Sequence, residues 1–168
     1  DTVKERLVEI YSMWGNAERG GNQGNPFPSK RIRGSSSGEV PAGFVQRALE
    51  MGWRVGFTGG GDDHLGHAGA EILAHGGGDQ YKAGLMAVWA TENTREAIWE
   101  AFWQRRCYAT TGPRIVVDFR LNGWAMGSEL RLAEHPELEA MRYCRATVHG
   151  TAPIKTVEIV RNNQDVHT

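Results

Sequence analysis

Residues 62–67 read Asp62-Asp63-His64-Leu65-Gly66-His67, with Glu71 and His75 close behind. Carboxylate oxygens and imidazole nitrogens together suit Zn, Mn or Fe. In an extended turn Asp62 and His64 point the same way, so an Asp-x-His pair can face one metal cluster. The preceding Gly59-Gly60-Gly61 lets the backbone bend sharply beside an ion or a substrate. This run follows the end of an apolar-alternating segment, Arg54–Thr58, and the C-terminal ends of strands are where α/β sheets and barrels build their sites. A solvated polar loop with incidental histidines accounts for the same spacing equally well, because Asp-x-His is short and common.

Glu9 is the second candidate. It sits inside Leu7–Tyr11, which reads as a short buried strand. A carboxylate beside a core needs a partner, a proton or a metal. Glu9 and Asp62 would meet on one rim only if their two strands share a sheet; otherwise Glu9 is a surface carboxylate on an edge strand.

Other motifs carry less. Gly59-Gly60-Gly61 lacks the Gly-Lys-Ser/Thr end of a phosphate loop and does not complete G-x-G-x-x-G, so nucleotide binding by those routes is excluded. Arg105 and Arg106 close a predicted helix, where positive charge suits the macrodipole; an anion-binding rim is the functional alternative. Cys107 has no identifiable base and is a poor nucleophile. Trp53, Trp89, Trp99 and Trp103 fall at core-like positions, whereas Trp14 and Trp124, beside glycines, could line a pocket.

Around these residues the elements alternate. After the first strand a polar, Gly-rich stretch runs to Gly38, long enough to be a lid, a disordered insert or a functional loop. Pro41 opens a helix whose stripe of Phe44, Val45, Ala48, Leu49 and Met51 ends at Gly52. Gly84–Ala90 is a continuous apolar run, as expected of a parallel strand buried on both faces. Asn93 with Glu96 resembles a capping box opening the helix Thr94–Arg105. From Arg114 the period becomes two, Asn122-Gly123 signals a hairpin, and Arg142–His149 and Ile154–Arg161 read as further strands. The reading is therefore an α/β unit over residues 1–113 and a β-rich extension over 114–168.

The 168 residues carry 19 basic and 20 acidic side chains, a net charge of −1. That argues against a broad electrostatic footprint for nucleic acid or anionic membrane. No apolar run approaches the roughly 20 residues of a membrane span. A soluble protein is expected, and the two cysteines leave its compartment open.

The segments Val8-Glu9-Ile10-Tyr11-Ser12, Trp14-Gly15-Asn16-Ala17-Glu18, Gly60-Gly61-Asp62-Asp63-His64 and Arg105-Arg106-Cys107-Tyr108-Ala109-Thr110-Thr111-Gly112 together resemble the PHP (polymerase and histidinol phosphatase) superfamily, in its DUF3604-like branch. The resemblance covers roughly residues 5–130. It implies the C-terminal part of a distorted (β/α)7 barrel followed by a partial β-sandwich-like extension. It implies Glu9 as a metal-bridging glutamate, and Asp62 and His64 as metal ligands and catalytic residues. His67 joins them as a candidate metal ligand on its spacing; the resemblance assigns no role to it or to Arg106. The implied activity is hydrolysis of a small-molecule phosphate ester by water activated on divalent metal ions, Zn, Mn or Fe.

The chain departs from the family pattern. It has no His-x-His pair, and its first histidine is His64; Gly61 and Ala68 stand where many relatives have Ser and Pro. A C-terminal fragment with an incomplete metal site is the simplest account, and exposed sheet edges would then favour homo-oligomers. The alternative is a non-catalytic binding or structural module that keeps the scaffold without a working metal site. A third reading is metal-dependent hydrolysis of a non-phosphate bond.

Overall fold

A computed structural model of the chain describes residues 4–30, 38–64, 66 and 80–168. Strand β1 (Leu7–Ser12) turns tightly through Met13 and Trp14 into β2 (Gly15–Asn16), with Ser12 opposite Gly15. The turn demands glycine at position 15. Its φ is 127°, and a Cβ there would lie 2.8 Å from the Ser29 Cα and 2.9 Å from the Phe27 carbonyl oxygen. Helix α1 (Val45–Glu50) follows, and the chain returns as β3 (Gly56–Gly59), parallel to β1. Their register sets Val8 against Phe57 and Glu9 against Thr58, then slips by one residue before Tyr11 meets Gly59.

The loop after β2 is packed as far as it is described. Asn25 donates to the Asn16 and Arg19 carbonyls at 2.8 and 2.7 Å, and Phe27 sits edge-on between Tyr11 and Tyr81. Residues 31–37 lie outside the described residues.

Strand β4 (Leu85–Val88) leads to α2 (Arg95–Trp103), capped by Thr94, whose hydroxyl accepts from the Ala97 amide, and then to β5 (Cys107–Thr110). Beyond it, β6 (Val116–Leu121) pairs with β7 (Trp124–Ala125) through the Asn122-Gly123 turn. Both turn residues have positive φ, 49° and 85°, the geometry this dipeptide favours between antiparallel strands. After a short helix α3 (Glu137–Ala140), β8 (Cys144–His149) pairs antiparallel along all of β6. A last hairpin, β9 (Ile159–Arg161) and β10 (Gln164–His167), is pinned to α1 by Asn163, which donates to the Gln46 carbonyl at 3.1 Å.

This is not the expected (β/α)7 barrel. The described strands fall into four separate small sheets of two or three strands, and β1–β3 is their one parallel pairing. A barrel needs each helix to carry the chain to a parallel neighbour. Here α2 joins β4 to an antiparallel partner, with Val88 opposite Cys107 and Leu85 opposite Thr110. The apolar run at 84–90 is accordingly not a strand buried on both faces: Leu85 and Met86 are exposed. The tryptophans depart from expectation too. Trp53, Trp89, Trp99 and Trp103 all stand exposed, Trp99 by 64%, while Tyr11, Met13, Val45, Ala101, Cys107 and Leu138 form the buried apolar set. Among the described residues, no helix is long and apolar enough to cross a membrane.

One ion pair fastens α2 to the segment after β7. Arg105 is only 8% exposed and adopts φ 56°. Its Nη2 donates to the Gly127 carbonyl at 3.1 Å and to Glu129 Oε1 at 2.9 Å, while Arg54 Nη1 meets Glu129 Oε2 at 3.1 Å. Gly127 has no room for a side chain, since a Cβ would overlap the Gln104 carbonyl. Desolvation pushes the Glu129 carboxyl up, but the Arg105 charge and the hydrogen bonds from Arg105 and Arg54 outweigh it and hold the group below its ordinary value of 4.5. A depressed carboxyl contributes stability that is complete above that ordinary value and is lost as pH falls through the folded one. Glu129→Gln is therefore expected to melt a few degrees below the native protein at neutral pH. In acid the two melting curves should converge. A constant gap down to about pH 2 would assign the loss to geometry rather than charge.

Candidate functional site

The parallel register brings the two sequence candidates to one rim. Asp62 lies three residues beyond β3, and Glu9 lies on β1 just before the slip in pairing. The polypeptide reaches Asp62 with φ 54° and His64 with φ 59°, a left-handed conformation that Asp tolerates better than most residues. That conformation is held in place: the Trp14 indole Nε1 donates to the Asp62 carbonyl at 3.0 Å, and the Met13 amide meets the Gly61 carbonyl at 3.4 Å.

Asp62 organises the polar groups. Its Oδ1 lies 2.7 Å from His64 Nε2, and its Oδ2 accepts from the Ser12 hydroxyl at 3.4 Å. Ser12 Oγ in turn accepts from the Trp14 amide at 3.2 Å, a local turn that orients the hydroxyl. The Trp14 ring packs at 6.0 Å from the His64 ring. Glu9 keeps solvent access, but its carboxyl lies against Gly60, and a Cβ on that glycine would stand 2.6 Å from Oε2. Desolvation, followed by the nearby Asp62 charge, raises the Glu9 carboxyl above its ordinary value. The rim therefore presents two electrostatically coupled carboxylates, an imidazole and a hydroxyl.

Asp62 thus has Glu9 near it on one side of the pairing and His64 against its Oδ1. His67, with Glu71 and His75, lies outside the described residues. Among the described residues, no three His, Cys, Asp or Glu side chains stand where they could hold one ion. Cys107 is buried and its thiol is pushed up by desolvation, which suits packing rather than attack. Ser12 was not singled out from the sequence. Its signal is faint, a serine at a strand end two residues before the amide it caps. The tie to residues 80–84 was also missed: Tyr11 Oη donates to the Lys82 carbonyl at 3.0 Å, and the Tyr81 amide donates to the Met13 carbonyl at 2.8 Å.

The family model described as "Protein of unknown function (DUF3604)" matches residues 61–152, from the glycine before Asp62 through β8. The chain belongs to this family. It is 44% identical over 165 residues to an uncharacterized protein of Chlamydia muridarum, and 43% identical over 167 residues to one of Chlamydia trachomatis. Each alignment covers 98% of this chain but 26% of the relative, so the chain spans about a quarter of the length of the curated relatives it matches. No solved structure matches it.

Two glycines at the rim separate positioning from packing. A methyl on Gly60 meets only the movable end of Glu9, whereas one on Gly84 would meet the Tyr11 ring at 2.7 Å and the Gly60 backbone at 3.1 Å. Gly60→Ala should fold with near-native stability and push the Glu9 carboxyl aside. Gly84→Ala should lose on the order of 1–3 kcal/mol in denaturant unfolding, as overpacking does. Equal losses in the two variants would contradict this assignment.

Proposed function

We propose that the chain contributes Glu9, Asp62 and His64 to the centre of a divalent-metal-dependent hydrolase acting on small phosphate esters. The reading rests above all on the meeting of the Glu9 and Asp62 carboxylates beside the parallel β1–β3 pair, with an imidazole on Asp62. Membership of DUF3604 agrees with the resemblance that suggested this chemistry but carries no activity of its own.

The donor types fit Zn, Mn or Fe, being carboxylate oxygen and imidazole nitrogen. Their placement does not fit a shared ion, since among the described residues no three such side chains stand where they could hold one. The proposal therefore requires further donors, from His67 or from sequence of the kind the longer relatives carry outside the matched quarter. A bound divalent ion would supply an acidified water and positive charge at phosphoryl oxygens. This chain's part is to hold donors in place. Trp14 fixes the Asp62 backbone and Ser12 holds one of its oxygens, so its carboxylate keeps one orientation. Desolvation and the neighbouring Asp62 charge raise the Glu9 carboxyl above its ordinary value, so it holds a proton more readily than a surface glutamate.

The contact between Asp62 and His64 also favours a second reading, a non-catalytic module in which the two satisfy each other. Elemental mass spectrometry on the tag-free chain separates them. The hydrolase reading expects bound Zn, Mn or Fe, most of it lost in His64→Ala, a variant that alters an exposed side chain and should leave the fold intact. Native protein that takes up no metal would overturn the reading for this chain and leave the binding module.

A further inference from the structure

At the other end of β3, where Gly56 and Phe57 begin the strand, a cleft of about 570 Å³ opens between the end of α1 and the segment after β7. Its size falls within the range of small-molecule sites. Part of the lining is apolar, from Leu49, Trp53, Phe57, Met126 and Leu130. Trp53 is 41% exposed, so the cleft has an aromatic surface already open to solvent.

The charged residues of the cleft are unbalanced. Arg54, Arg105 and Arg131 line it against a single carboxylate, Glu129. Glu129 commits one oxygen to Arg105 and the other to Arg54. One carboxylate cannot neutralise three guanidinium groups, and each guanidinium carries five donors. Arg105 is nine-tenths buried, and its Nη1, itself sealed from solvent, has no hydrogen-bond partner among the described residues, so Glu129 leaves its charge incompletely satisfied beneath the cleft. A buried donor left without a partner is costly, and native proteins keep few of them. Arg54, whose side chain is 58% exposed, engages Glu129 through Nη1 and presents the rest of its fork to solvent.

We propose that this cleft is a binding site for an organic anion with a flat apolar body and a carboxylate, sulfonate or phosphate head. The body lies against Trp53 and Phe57, and the head meets the Arg54 fork, with Arg131 adding to the field. Arginine suits both halves of such a ligand, since its plane stacks on rings and its fork matches oxyanion geometry. The Arg105–Glu129 pair is the fixed floor that holds Arg54 over the opening. The site shares no residue with the Glu9–Asp62 rim and does not depend on the hydrolase reading.

The test is a fluorescence titration with anilinonaphthalene sulfonate, compared with the uncharged N-phenylnaphthylamine, on the native chain and two variants. Arg54→Gln removes the exposed fork. Arg95→Gln removes a charge from the separate apolar groove lined by Ile98, Trp99 and Phe102. The native chain is expected to bind the sulfonate about ten-fold or more tightly than the neutral probe, the range a charge-assisted hydrogen bond lends. Arg54→Gln should erase that preference, and Arg95→Gln should keep it. Equal affinity for both probes, loss shared by Arg95→Gln, or no saturable binding of the sulfonate would each overturn the proposal. Arg131→Gln, also on an exposed residue, provides a second reading of the same charge effect.

Discussion

The rim depends on how closely three backbones pass one another. The Gly60 amide donates to the Tyr11 carbonyl at 3.0 Å, and the Gly84 amide donates to the Gly60 carbonyl at 2.9 Å. A side chain on Gly84 would strike both neighbours, and one on Gly59 would come within 2.9 Å of the Leu85 carbonyl. The glycines are there because the lines of chain lie nearly in van der Waals contact, not because the segment is loose. That closeness draws β1, the end of β3 and the start of β4 into one continuous seam. It also sets the Glu9 carboxyl against Gly60 rather than out in water, and so makes Glu9 unlike an ordinary surface glutamate.

A second fastening acts where the chain changes character. The Tyr108 hydroxyl donates to the Ile115 carbonyl and accepts from the Val117 amide, both at 2.9 Å, while the Trp89 indole donates to the Val117 carbonyl. These bonds tie the β4–β5 ribbon to the first residues of β6. The Arg105–Glu129–Arg54 group then ties the end of α2 and the entry to β3 to the segment after β7. A partly buried pair of this kind adds little net stability by itself but is costly to break on one side only, since the charge left behind is desolvated. Such a device favours one arrangement of the two regions over others more than it deepens the energy minimum.

Much of the local structure was legible in the sequence, and much of the pairing was not. The Asn122-Gly123 turn, the helix opened near Thr94 and the strand ending at Gly59 follow from turn chemistry, capping and alternation. Those signals are local, and the residues that generate them also feel their effect. The direction of β4 is not local. A run such as Gly84–Ala90 is apolar whether its neighbour runs parallel or antiparallel, so the sequence pattern supported a barrel strand that the structure pairs the other way. The tryptophans failed for a related reason. Spacing at three and four residues shows which face of α2 is apolar, and Trp99 and Trp103 do stack at 6.4 Å on it, yet periodicity cannot tell whether another element covers that face. Glu9 and Asp62 were nominated on the condition that their strands share a sheet, and β1 and β3 pair directly. Arg105 was read as a cation suited to a helix end, or as part of an anion-binding rim, because its partner, Glu129, lies 24 residues away and no short-range pattern links them.

The near-zero net charge conceals a local separation at the two ends of β3. The Glu9 and Asp62 carboxylates meet beside the end of β3, where the Asp62 charge helps raise the Glu9 carboxyl, while Arg54, Arg105 and Arg131 line the cleft at its start with one carboxylate, Glu129. Strand β3 alone sets the two regions apart by roughly 10 Å at about 3.3 Å per residue, and Asp62 lies further still. That is already about one screening length at physiological salt, so their exposed charges act nearly independently. Each region must then be balanced locally. Because Gly56 and Phe57 wall the cleft and Gly59 and Gly60 shape the rim, one short strand carries both. Its pairing with β1 is therefore the feature on which both local chemistries depend.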